Sequence, residues 1–162
     1  MKLVREEQTP LTKDLIKLLP KIDFFDVFST TNHTDSLEFI SNKIFNTTPK
    51  WVAFLFIIRN RIANLIGLKY EVPDDFNENF KIGGYIKFFK IFDITEHQVV
   101  LGANDKHLNF RAIITRTTDT LYNIKVTTLV EYNNNLGKIY MTIVKPFHRI
   151  VVKRMVKNAY IQ

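Results

Sequence analysis

The densest group of chemistry-bearing side chains runs from Asp105 to Arg111, in the order Asp-Lys-His-Leu-Asn-Phe-Arg. Read as a strand, it puts His107, Asn109 and Arg111 on one face and Leu108 and Phe110 on the other, because strand side chains alternate. A histidine so placed could act as a general base or as a donor to a ligand, with Asp105 orienting its ring. The same alternation supports an opposing reading. If the apolar face lines a cavity, the polar face points away from it. It would then serve a turn, a strand-edge ion pair or a surface patch. A bulge after Gly102 would re-aim His107.

Three tyrosines, Tyr122, Tyr132 and Tyr140, fall on apolar stripes and are expected to face inward. A buried hydroxyl needs a partner, so each is either a polar point inside a cavity or a packed residue with a local hydrogen bond. Pro146-Phe147-His148-Arg149 lies inside a helical pattern. Pro146 removes a backbone donor and is expected to bend the helix. Phe147 reads as part of the buried stripe, with His148 and Arg149 at its edge. Arg149 could hold an anionic head group through its forked donors, or simply be solvated. Arg59 or Arg61 could pair with Asp23 or Asp26, or lie on the surface.

Several chemistries lack their residues. There is no cysteine, which removes disulfides, thiolate metal sites and cysteine nucleophiles. The histidines at 33, 97, 107 and 148 have no metal-ligand spacing. There is no Gly-x-Ser-x-Gly elbow, phosphate-binding loop or Gly-rich dinucleotide fingerprint. Asp74-Asp75 sits in an acidic stretch that reads as an exposed loop, not a catalytic pair. No metal and no cofactor is expected.

The elements that must hold these residues can be read from periodicity. Residues 10 to 19 suggest a short helix stopped by Pro20. Ile22 to Phe28 reads as a strand, rich in aromatic and β-branched side chains. Asp35 and Glu38 resemble a capping box for a helix with Leu37, Ile40, Ile44 and Phe45 inward. Thr48-Pro49 opens a second helix, about Lys50 to Ile66, ended by Gly67. Its buried face would be Trp51, Phe54, Leu55, Ile58, Ile62 and Leu65. From Tyr85 the pattern switches to strands: Tyr85–Ile94, His97–Ala103, His107–Thr118 and Leu121–Tyr132. Their short links require antiparallel neighbours. A long helix follows, with Leu136, Ile139, Tyr140, Ile143, Val144, Phe147, Ile150, Val151 and Met155 as its apolar residues.

That helix also carries the charge. The chain's net charge is +7, and Asn135 to Gln162 hold six Lys/Arg and no Asp or Glu, leaving 17 basic against 16 acidic residues elsewhere. A basic helix face is read first as solvated and second as weakly attracted to anionic membranes. Nucleic acid is not expected, since no recognition motif is present and the phenylalanines lie on apolar stripes. The N-terminus lacks an apolar leader segment, and the longest apolar run is the eight residues Trp51–Ile58. A soluble, cytoplasmic, single-domain protein over residues 1–162 is expected, with 1–20 as an extension. Its 14 Phe and 6 Tyr suit a wide core or the wall of an apolar cavity.

The order strand, two helices, antiparallel meander, long helix resembles the START-like superfamily, an α+β helix-grip fold. Birch pollen allergen, polyketide cyclases and lipid-transfer domains share it. Five blocks resemble more closely a domain family of unknown function, bacterial, placed in that superfamily. They are Asp23–Phe28, Pro49–Val52, Leu55–Asn60 with Gly67–Lys69, Gly102–Arg111 and Pro146–Arg149. The resemblance implies a curved sheet gripping the last helix, with an apolar cavity between them for a small apolar or amphipathic molecule. His107, Phe110, Tyr122 and Tyr132 would line it, with Tyr140, Phe147 and Arg149 from the helix. It also implies two alternatives: a cyclase or dehydratase using cavity His or Tyr, and an accessory subunit of a separate oxidoreductase. The latter follows from relatives in which a similar domain adjoins a Rossmann-type one.

Overall fold

The computed structural model describes residues 2–8, 10–46 and 73–161, together with residues 50, 57, 60, 61, 64 and 65. Its strands are β1 (Arg5–Glu7), β2 (Phe24–Thr30), β3 (Tyr85–Ile86), β4 (Phe89–Ile94), β5 (Gln98–Asn104), β6 (Leu108–Arg116) and β7 (Ile124–Tyr132). They form one antiparallel sheet in the order β1-β2-β7-β6-β5-β4-β3. The helices are α1 (Lys13–Ile16), α2 (Leu37–Asn46) and α3 (Asn135–Lys157). An α+β architecture with a strand meander and a long last helix is therefore present. The expected helix Lys50–Ile66, with its cap at Thr48-Pro49 and its stop at Gly67, lies outside the described residues except at six positions, all helical. Leu65, assigned to its buried face, is exposed.

Two local expectations need correction. The strand expected over Tyr85–Ile94 is broken by a hairpin at Lys87-Phe88, where Lys87 adopts φ 58°. Two-residue hairpin loops demand a positive φ, and the residue there is lysine, with no glycine to advertise the turn. Helix α2 is capped by Ser36, whose hydroxyl accepts from the Phe39 N–H at 3.2 Å, and not by Asp35. Asp35 instead accepts from Asn32 Nδ2 and Lys43 Nζ, both at 2.9 Å. Helix α3 runs through Pro146 as a single element.

Both faces of the sheet are covered. The inner face carries Phe24 and Phe28 on β2, Val126 and Val130 on β7, Ile114 on β6 and Leu101 on β5. α3 lies over β2 and β7, and α2 over β3, β5 and β6. The outer face presents Val100, Ile113 and Leu129, all at most 1% exposed. The N-terminal segment covers it with Leu11, Leu15, Leu18, Leu19 and Ile22. Residues read as an extension thus form a layer of the core, and β1 adds an edge strand to β2.

The start of α3 is fixed tightly. Asn134 caps it, its side-chain oxygen accepting from the Gly137 N–H at 3.1 Å. A Cβ at Gly137 would sit 2.0 Å from the His107 carbonyl oxygen, so only glycine allows this approach. Helix α3 carries two apolar stripes, roughly 140° apart at 100° per residue. Tyr140, Met141, His148, Met155 and Val156 face the sheet and α2. Leu136, Ile139, Ile143, Phe147 and Ile150 are 40% to 54% exposed. This corrects the expectation that these five lie on the buried stripe.

Candidate functional site

Alternation along β2 sends Phe24, Asp26 and Phe28 to the inner face. Phe24 belongs to an apolar cluster with Leu108, Val130, Tyr140 and Met141 under the first half of α3. Phe28 belongs to a larger one with Val126, Ile114, Met155 and Val156 under its second half. Asp26 falls between them. Its cross-strand neighbour is Thr128, and the neighbour of Thr128 is Ala112. The inner face therefore has a row of short side chains where the two clusters separate. Phe110, half-buried, touches both clusters.

His148 descends from α3 onto this row. Its Nε2 lies 3.2 Å from Asp26 Oδ2, and the Asp26 side chain is 6% exposed. The contact is close enough for charge attraction but lacks hydrogen-bond alignment. Among the described residues neither Asp26 oxygen nor His148 Nε2 has a hydrogen-bond partner. A buried carboxylate with no donor is costly, about 1–3 kcal/mol or more for each unmet group. The imidazole packs edge-on to Phe24, with centroids 5.7 Å apart, and Lys145 Nζ lies 5.2 Å from the same ring. Arg149 binds Glu6 of β1, which holds its guanidinium pKa above the ordinary value; the charge of Asp26 acts weakly in the same direction. The group offers a buried acceptor, an imidazole and cationic surroundings. Such a set can anchor a hydroxyl or ammonium, or exchange a proton with it.

The residues singled out from the sequence do not gather in one place. Phe110, Tyr132 and Tyr140 gather on the inner face at the N-terminal half of α3. Burial is the main cause raising the Tyr132 pKa, with Asp23 adding to it. His107 is buried at the start of β6, where Nδ1 meets the Asn134 amide and its backbone N–H donates to Asp105 Oδ1. It braces the cap of α3. Arg111 faces outward over the Phe92 ring at 3.8 Å, and burial lowers its pKa. Tyr122 lies at the far edge, its hydroxyl donating to the Lys2 carbonyl and its ring under Arg5. Phe147 and Arg149 are exposed on α3, so Phe147 is not the buried wedge expected from its stripe.

Sequence reasoning missed the Asp26–His148 pair, although a signal was present. Asp26 interrupts an aromatic strand at a position that alternation assigns to the core. His148 stands seven residues from both Met141 and Met155, hence on their stripe. A separate cleft of about 180 Å³ lies between α2 and β3, lined by Glu38, Asn42, Asn46, Glu78 and Lys87 with Phe80 and Tyr85. Its polar lining and small volume fall short of an apolar ligand site. Among the described residues no cluster of His, Asp and Glu fits a metal ion, and no helix is long and apolar enough to cross a membrane.

A family model described as "Protein of unknown function (DUF2867)" matches residues 18–155. No curated protein and no solved structure matches the chain.

Proposed function

The chain belongs to the DUF2867 family, and from that premise we propose that it is a helix-grip, START-like domain binding a small amphipathic molecule between the inner sheet face and α3. The single observation that carries this reading is the Asp26 carboxylate. It is buried, faces His148 and lacks a hydrogen-bond donor on either oxygen among the described residues. Folding alone gives no reason to keep it, since an apolar residue there would join the two clusters into one. A ligand hydroxyl or ammonium would supply the missing donor. Its apolar part would lie along Phe110, Val144 and Val151, which are only partly covered.

Native mass spectrometry of protein purified from its own host tests this directly. An amphipathic molecule should copurify with the parent chain and be depleted at least tenfold in Asp26→Leu. Equal loading of the two proteins, or none in either, would sink the proposal.

The pair itself favours a second reading, a cyclase- or dehydratase-type reaction. With Asp26 facing one imidazole nitrogen of His148, the other is left to exchange a proton with a bound molecule. Turnover of the copurified molecule by the parent chain but not by His148→Gln, with binding retained, separates catalysis from binding.

A further inference from the structure

The exposed stripe of α3 is unlike the scattered apolar residues of an ordinary surface. Leu136, Ile139, Ile143, Phe147 and Ile150 follow one another at steps of three or four, a continuous ridge about 21 Å long at 1.5 Å per residue. Lys153 lies about 80° round the helix from the middle of the stripe and Lys138 about 140°, with Lys157 at the helix end; Lys145, on the same flank, turns its Nζ over the Phe24 ring. No Asp or Glu occurs from Asn135 to Gln162. Among the described residues none of these four lysines is within ion-pair distance of a carboxylate.

We propose that this face of α3 docks on an anionic lipid membrane, with the stripe in the headgroup boundary and the lysines among the phosphates. Three occupants compete, and the charges choose between them. A second copy paired antiparallel about a two-fold axis would set each flank against its own equivalent, lysine against lysine. A parallel pair would set the lysine flank against the other flank of α3, which has no acid to receive it. An acidic protein would match the sign, but protein interfaces favour arginine and deplete lysine, because fixed carboxylates suit a planar fork. Of the two arginines on α3, Arg149 is engaged by Glu6 and Arg154 is drawn partly into the fold, its Nε buried. The free cations are all lysines, flexible and hydrated, which suits a diffuse anionic surface. The inference does not depend on what the domain binds inside.

The test is cosedimentation of the full chain with phosphatidylcholine vesicles, with and without phosphatidylglycerol. Binding is expected only with the anionic lipid, weakening as salt rises. Lys138→Gln or Lys153→Gln should each reduce partitioning about fivefold. Phe147→Ser should abolish it while leaving the dichroism spectrum and melting temperature unchanged; Ile143→Ser serves as the second variant. No cosedimentation, equal binding to both vesicles, or unchanged binding by both serine variants would overturn the proposal. So would vesicle indifference combined with a dimer, or a complex with an acidic soluble protein, that Phe147→Ser dissolves.

Discussion

Asp26 and His148 meet 3.2 Å apart across the interface of β2 and α3, at the row where the inner face narrows to Thr128 and Ala112. The pair interrupts what would otherwise be one continuous apolar contact between helix and sheet. It sits where a cavity between them would need its polar end.

Removing one partner should cost far more than removing both. His148→Leu strands the Asp26 charge in the core and is expected to lose about 3 kcal/mol of stability, measured by urea unfolding. The double variant Asp26→Leu with His148→Leu should recover most of that loss, and could exceed the parent chain, because it joins the two apolar clusters. A single variant as stable as the parent would show that the carboxylate is already neutral or solvated.

Much of the architecture was legible in the chain, and the reasons are specific. The meander followed from links too short for a crossover, as at Thr95-Glu96 between β4 and β5. The turn at Lys87 was not legible, because lysine is a poor sign of positive φ. Nor was the rotation of α3. Two apolar stripes satisfy helical periodicity equally, and only the tertiary fit of Tyr140, Met141 and Met155 selects one. That ambiguity hid His148, and with it the site. The covering of the outer face by Leu15, Leu18 and Leu19 was hidden for a similar reason, since α1 is a single turn with little period to detect.

Asn32 is expected to be the least replaceable polar residue of the described chain. It is fully buried, and its amide donates to Asp35 Oδ2 at 2.9 Å and to the Ala159 carbonyl at 2.7 Å. Its side-chain oxygen accepts from the Asp35 N–H at 2.9 Å, and its backbone exchanges two bonds with Asn123 at 2.8 Å. It thus ties the end of β2 to the segment before β7 and to the residues after α3. Asn32→Ala leaves several buried groups unmet and should cost about 3 kcal/mol or more in denaturant unfolding. A loss under 1 kcal/mol would mean that water replaces the amide.

Acid should weaken the fold in a defined window. Asp35 is held below its ordinary value of 3.8 by the Asn32 amide first and Lys43 second. Lys90 and Tyr85 do the same to Asp75, and the Tyr122 and Leu121 N–H groups to Asp119. In the folded state these carboxylates bind protons less readily than in the unfolded chain. Their contribution is complete above the ordinary carboxylate range and is lost as pH falls through the lowered folded values. The urea midpoint should therefore drop between about pH 5 and pH 3, and less steeply in Asp35→Asn. A parallel fall in that variant would remove Asp35 from the account.

The outer layer yields the last expectation. Leu19 is 3% exposed and packs with Val100, Ile113 and Leu129, which lie on the central strands β5, β6 and β7. Those three side chains point away from α2 and α3, so nothing on the helical side can cover them. Leu19→Ala should cost about 2–4 kcal/mol, the range for a buried leucine whose cavity cannot collapse against a rigid sheet. Deleting residues 2–20 goes further. It also removes β1 and so uncovers the edge of β2, leaving an apolar face beside an open strand edge. The shortened chain should aggregate on purification, and solubility restored by Val100→Thr with Leu129→Thr would identify the outer face as the cause. A truncated chain that stays monomeric with an unchanged melting temperature would show that this layer contributes nothing to the core.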